Sequence, residues 1–308
     1  MPDARRLTEL LDQRSGGLAL VIGNGINIHN TDKMNSWDQL LLRIAHDCAV
    51  DVPDVPKGTA LTEFYDVLEL KRRPKGATDD NQSATLSLQA EFCRLMNDWK
   101  PKPHHEAIMG WAMRHEVPVL TTNFEEVLSD AAKCRFHRPS GSPFTDYYPW
   151  ECRFARAFHD DPCTGFGIWH INGMRRYRRS IRLGLSHYMG SVQRARTWLH
   201  RGDANLFGAK NRVNWEGARS WVHLVFNKPL LIFGLGLGEN EVFLRWLLIE
   251  RARYFRKFPE RAHPCWYVYT HDKKDDREDG KLFFLEGIGI TCLQIDYTAI
   301  YENAAWGR

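Results

Sequence analysis

The chain lacks three things that would place it quickly. It has no CxxC pair, no apolar run of the roughly 18 residues that a membrane span needs, and no large net charge, which is +4 over 308 residues. The seven cysteines, at 48, 93, 134, 152, 163, 265 and 292, are odd in number and scattered. That spacing excludes a zinc ribbon and a disulfide framework, and it fits a reducing cytoplasm. The modest charge leaves nucleic-acid contact open through a local patch without requiring it, and no membrane association is expected. What is present is an ordinary globular composition, 43% apolar and 26% charged with 11 Trp and 16 Phe. Such a chain buries a large core and is not a disordered one.

Leu18 to Ile22 is continuously apolar, as in a parallel strand covered on both faces, and it breaks into the glycine turn Gly23-Asn24-Gly25-Ile26-Asn27. Without side chains at Gly23 and Gly25, a pyrophosphate could approach the main chain and meet the amides of the following helix. The turn lacks the third glycine of the GxGxxG fingerprint, so alone it is a weak signal.

The same logic recurs downstream. Val117 to Thr121 is a short apolar strand ending in TTNFEE, with Thr122 or Asn123 at a helix cap and Glu125 and Glu126 in the first turn. Phe166 to His170 ends in WHINGM, and Leu230 to Phe233 runs into Gly234-Leu235-Gly236 and on to Glu239 and Asn240. Trp266 to Thr270 and Ile290 to Ile295 complete the strands. Helices are expected between them, among others over Ala4 to Arg14, Ser36 to Asp47, Pro103 to Arg114, Asn214 to Phe226 and Val242 to Phe255. Residues 134 to 165 show no period and read as irregular connection. Strands alternating with helices imply one α/β domain over 1–308, doubly wound and Rossmann-like, with about six parallel strands. A helical insertion near 50–100 is expected, from the helices Leu61 to Lys71 and Ala84 to Trp99. In such a sheet the ligand sits at the carboxyl ends of the strands, where these turns converge.

This ordered set of turns resembles the sirtuin superfamily. The glycine turn takes the place of its GAG phosphate loop, and Thr121, Thr122 and Asn123 match the start of its T-Q-N-I-D motif. His170 falls where its catalytic histidine does, and Phe233 to Leu237 resemble its G-T/S-S-L turn. The bacterial sirtuin-like branch is the nearest match, with Glu239 at the acidic position of its G-x-S-x-x-D signature. Four features differ: the four-cysteine zinc module is absent, Glu125 replaces the motif aspartate, Gly236 replaces a serine, and His170 is followed by Ile171 and Asn172, with the glycine arriving only at Gly173.

The resemblance implies an NAD-hydrolysing effector of antiphage defence, with NAD as substrate and no metal. Asn123 and His170 would be catalytic. Gly23, Asn24, Gly25, Asn27, Thr122, Glu125, Gly234, Gly236, Glu239 and Asn240 would hold NAD. Asn123 would orient the ribose or a water, and His170, near its ordinary pKa, would take a proton. Homo-oligomers, a partner ATPase or a phage-derived trigger are implied as partners. The alternatives are an NAD or ADP-ribose sensor without turnover and, below it, a lysine deacylase. His104 and His105 have no partner at metal-ligand spacing and read as structural. The basic run Arg175 to Arg182 reads as a solvated face, with phosphate or nucleic-acid contact as its alternative.

Overall fold

The computed structural model describes residues 3–31, 35–72, 87–140, 145–208, 210, 212–238, 241–270 and 278–307. In chain order the elements are α1 (Asp3–Arg14), β1 (Ala19–Ile22), α2 (Gly25–Ile28), α3 (Trp37–Asp47), α4 (Leu61–Arg72), α5 (Leu88–Leu95), α6 (Pro103–Arg114), β2 (Val119–Thr121) and α7 (Val127–Ala131). They continue with β3 (Arg135–His137), β4 (Arg153–Ala155), β5 (Ile168–His170), α8 (Leu185–His200), α9 (Trp221–Asn227) and β6 (Leu230–Phe233). The last are α10 (Val242–Lys257), β7 (Cys265–Tyr269), α11 (Glu278–Gly287), β8 (Thr291–Gln294) and α12 (Tyr297–Tyr301).

Among the described residues the strands form one sheet in the order β3-β4-β5-β2-β1-β6-β7-β8. β5, β2, β1, β6, β7 and β8 pair parallel throughout, and β4 pairs antiparallel with both β3 and β5. Counted along the chain, the parallel strands lie in the order 3-2-1-4-5-6, the arrangement of doubly wound dinucleotide-binding sheets. The reversal of strand order falls between β1 and β6, whose register runs from Ala19↔Leu230 to Ile22↔Phe233.

The sheet therefore has eight strands rather than about six. The extra pair lies inside 134–165, where irregular connection was expected: β3 and β4 are three residues each, too short to show a period, and Arg153 is buried in the second of them. Other boundaries moved for local reasons. Helix α9 starts at Trp221 rather than at residue 214, because Ser220 Oγ accepts the Val222 amide and caps it there. Helix α5 starts at Leu88, with Ser87 Oγ accepting the Ala90 amide, and the expected start at 84 lies outside the described residues.

Both faces of the sheet are covered, which explains the unbroken apolar runs of β1 and β6. Ala19, Val21, Leu230 and Ile232 pack with Trp198, Leu199, Trp221, Val225, Phe243 and Leu247 from α8, α9 and α10. Leu20, Ile22, Leu231 and Phe233 face Leu7, Leu11, Ile108, Trp111 and Ile300 from α1, α6 and α12. A third core joins α3, α4 and α5 through Leu40, Ile44, Phe64, Leu68 and Phe92, and it takes in Phe124. The insertion is thus docked on the turn after β2: Phe124 lies 5.2 Å from Trp37 and 5.8 Å from Phe92, ring to ring. Burying that one ring stabilises the turn carrying Asn123 and Glu125 by about 2–3 kcal/mol.

Candidate functional site at the strand ends

The turns after β1 and β6 lie against each other. The Gly25 amide donates to Gly234 O at 2.7 Å, and a Cβ on Gly23 would stand 2.4 Å from that same oxygen. A Cβ on Gly25 would meet Tyr301 Oη at 2.6 Å and Gly234 Cα at 2.8 Å, while Gly234 has φ +66°. These three glycines are therefore required for turn-on-turn packing. Gly236 differs, since a Cβ there would meet nothing within 4 Å among the described residues. The helix expected after the first turn is the single turn of α2, four residues long, so little dipole backs it.

Around this junction the structure brings together most of the residues singled out from the sequence. Asn27 Nδ2 donates to Glu125 Oε1 at 2.8 Å and to Asn24 Oδ1 at 2.9 Å. Asn123 Nδ2 reaches Gly23 O at 3.5 Å, and the Asn123 amide donates to Thr121 Oγ1 at 3.1 Å. That last bond holds residues 122–126 out of helix, so α7 begins only at Val127. Asn123 and Glu125 stand in a turn ahead of the helix, and the expected cap and first-turn roles do not apply. Glu239 and Asn240 lie outside the described residues.

Proton positions follow from the partners. His170 Nδ1 lies 2.7 Å from Asn123 O, a carbonyl that can only accept, so the proton sits on Nδ1 and Nε2 carries a lone pair. Burial pushes the His170 pKa down to about 4, well below the ordinary value expected from the sequence, so the imidazole is neutral near pH 7. His105 Nδ1 accepts the Lys102 amide at 3.1 Å, which leaves its Nε2–H to donate to Asn27 Oδ1 at 3.2 Å. Burial lowers His105 to about 3, so this tautomer persists. His104 Nε2 donates to Ile26 O at 2.8 Å. Both histidines thus brace the glycine turn, as a structural reading anticipates. Glu125 is fully enclosed, and burial raises its carboxyl to about 7 despite the Asn27 bond.

Seven buried polar atoms at these strand ends have no partner among the described residues: Tyr301 Oη against the Gly25 and Gly234 turns, and a row of six, Thr122 Oγ1, Asn123 Oδ1, Glu125 Oε2, His170 Nε2, Asn172 Oδ1 and Glu241 Oε2. The six are contiguous through the Asn123–His170 bond, the two-residue step to Asn172, and the Asn172 amide against Glu241. Asn123 Oδ1, His170 Nε2 and Asn172 Oδ1 are acceptors as assigned, while the threonine hydroxyl and the two carboxyls, both raised to about 7, can accept or donate, so the group they suit carries hydroxyl or N–H donors or is cationic. Buried acceptors without donors cost about 1–3 kcal/mol each, a debt a ligand would remove.

Asn172 and Glu241 were not among the candidates read from the sequence. Asn172 follows His170 by two residues in the WHINGM turn, and Glu241 ends the GLGLGENE run, so their place at strand ends was the available signal. The basic run is largely held by the protein itself. Arg175 donates to Asn97, Arg176 pairs with Glu126, Arg179 with Tyr147 and Asp146, and buried Arg182 donates to Tyr147 O. No helix among the described residues is long and apolar enough to cross a membrane. All seven cysteines are free thiols. No family model matches the chain, and no curated protein is significantly similar to it.

Proposed function

We propose that the protein is a sirtuin-like NAD glycohydrolase that cleaves the nicotinamide–ribose bond with water. The observation that carries this reading is the row of buried, unpartnered polar atoms from Thr122 to Glu241, at the carboxyl ends of β2, β5 and β6 around the reversal point of a dinucleotide-type sheet. A ribose bearing a cationic nicotinamide offers what that row lacks, hydroxyl donors and positive charge. The scissile C1′–N bond breaks with its electron pair leaving on nicotinamide, which departs neutral and needs no acid. Positive charge then develops at C1′ beside Asn123 Oδ1, whose dipole lowers the barrier electrostatically, and Glu125, its carboxyl raised to about 7, adds to this in its ionised fraction.

Water forms the new C–O bond, and its proton passes to the lone pair on His170 Nε2 and then to solvent. The balance is NAD and water to ADP-ribose, nicotinamide and one proton. Asn123 holds His170 through its main-chain carbonyl, and its amide on Gly23 O leaves Oδ1 free to face the ribose, so one residue would set both positions. Gly236, where a Cβ would meet none of the described residues, suits the pyrophosphate better than the crowded Gly23 and Gly25.

The biological extension is an effector of antiphage defence, acting as a homo-oligomer under a partner ATPase or a phage-derived trigger; it rests on the family resemblance. A second reading, an NAD or ADP-ribose sensor, is favoured by one observation: burial leaves His170 a weak base. The two separate on nicotinamide release from NAD by the purified protein, repeated with a phage trigger if the first assay is silent. Release supports the hydrolase, whereas binding without release under both conditions supports the sensor.

A further inference from the structure

Glu241 stands at the N-cap position of α10, yet its side chain makes no capping bond. A carboxylate there normally accepts from the first-turn amides, so capping does not account for an acid at this position. Its Oε2 is buried and unpartnered among the described residues, and burial raises its carboxyl to about 7. The side chain beside it is Asn172, which is 3% exposed. With the Asn172 amide turned toward the carboxylate, its Oδ1 is left as a second buried acceptor without a donor. Two strands supply the pair: Asn172 follows β5 and Glu241 follows β6. The main chain fixes the first of them, because Arg182 N donates to Asn172 O at 2.9 Å and Ile171 N to Thr121 O at 2.8 Å.

We propose that Asn172 and Glu241 form a reader of vicinal hydroxyls, accepting the two O–H groups of the ribose on the nicotinamide side of NAD. An amide oxygen that can only accept beside a carboxyl that can accept or donate matches a cis-diol, whose two hydroxyls on neighbouring carbons can each do either. A phosphate or carboxylate, by contrast, would bring only acceptors to the amide oxygen. The choice of ribose follows from position: Asn172 is two residues beyond His170 on the same strand end, so the sugar it contacts is the one whose C1′ reacts. This assignment rests on the NAD reading above. It makes Asn172 and Glu241 positioning and specificity residues, and it requires no turnover.

The test is calorimetric titration of the full-length protein with ADP-ribose and with ADP, which lacks that second ribose. Wild-type protein is expected to bind ADP-ribose more tightly than ADP. Glu241→Gln, which keeps the shape and replaces one acceptor with a donor, and Asn172→Ala should each shrink that margin about tenfold or more, the scale of a hydrogen bond to a charged or buried group. Affinity for ADP should stay within twofold. Circular dichroism and thermal melting establish that each variant folds, and the two variants stand in for one another should either not.

An unchanged margin in a folded variant overturns the diol assignment alone, as does an equal loss for both ligands. Loss of the margin in a protein that never releases nicotinamide keeps the assignment and overturns the hydrolase. Failure of the wild type to bind either ligand overturns both.

Discussion

Replacing Glu125 with Gln should change how stability depends on pH, in a direction the geometry fixes. The carboxyl is 2% exposed and is lifted by burial from 4.5 to about 7 in the folded protein. A raised pKa means the folded state holds a proton that the unfolded chain has released. The associated stability is complete below pH 4.5 and is lost as pH rises through 7. At about 1.4 kcal/mol per unit, the loss from this one group is on the order of 3 kcal/mol. Glutamine has the same shape, accepts the Asn27 amide through its own oxygen, and has no proton to lose. Urea unfolding of wild type and Glu125→Gln at pH 5 and pH 8 measures the difference. The variant should gain on the wild type by up to about 3 kcal/mol between those two values. Groups common to both proteins cancel, including His170 and His105, whose lowered pKa values cost stability as pH falls below about 6.5. A difference that does not vary with pH would refute the buried, protonated carboxyl.

Two further outcomes follow from the packing of the turns. Gly25→Ala places a methyl 2.6 Å from Tyr301 Oη and 2.8 Å from Gly234 Cα, so it should cost about 2 kcal/mol or more, or prevent folding. Gly236→Ala, with none of the described residues within 4 Å, should leave the melting temperature unchanged while weakening NAD binding; equal melting temperatures for the two variants would contradict the turn-on-turn contact. Asn27→Ala strands Asn24 Oδ1, Glu125 Oε1 and the His105 Nε2–H together, so it should destabilise by about 3 kcal/mol or more in urea unfolding, the cost of three unpaired buried groups. A loss below about 0.5 kcal/mol would show that the chain from His105 to Glu125 is not intact.

Much of the frame was legible because buried parallel strands announce themselves. Leu18 to Ile22 and Leu230 to Phe233 have no polar residue to interrupt them, and each ends in glycine, so both their existence and their central position could be read. β3 and β4 could not, since three residues give no period and a buried arginine mimics a loop. The candidate site was read as a set of strand ends, and Asn123, Glu125, His170 and Asn27 do converge. What the sequence hid was the use of its glycines: Gly23, Gly25 and Gly234 serve the packing of two turns, a contact between residues some 200 positions apart. The same blindness applies to charge state. His170 and Glu125 have ordinary pKa values on paper, and only enclosure, a property of the folded chain, moves them to about 4 and about 7.

The central claim is that Asn123 and His170 break down NAD. Its most direct measurement is nicotinamide release from NAD, followed by chromatography, for wild type, Asn123→Ala, His170→Ala and His46→Ala, in the presence of the phage trigger if one is needed. His104, the neighbour a sequence reading would choose as a neutral control, is bonded to the glycine turn. His46, with its side chain 86% exposed on α3, is the better control. The account predicts that the first two variants stay folded and lose on the order of a hundredfold or more in rate, as expected on losing a positioned base or orienting amide, while His46→Ala matches the wild type. A folded Asn123→Ala or His170→Ala protein that releases nicotinamide at the wild-type rate would contradict it.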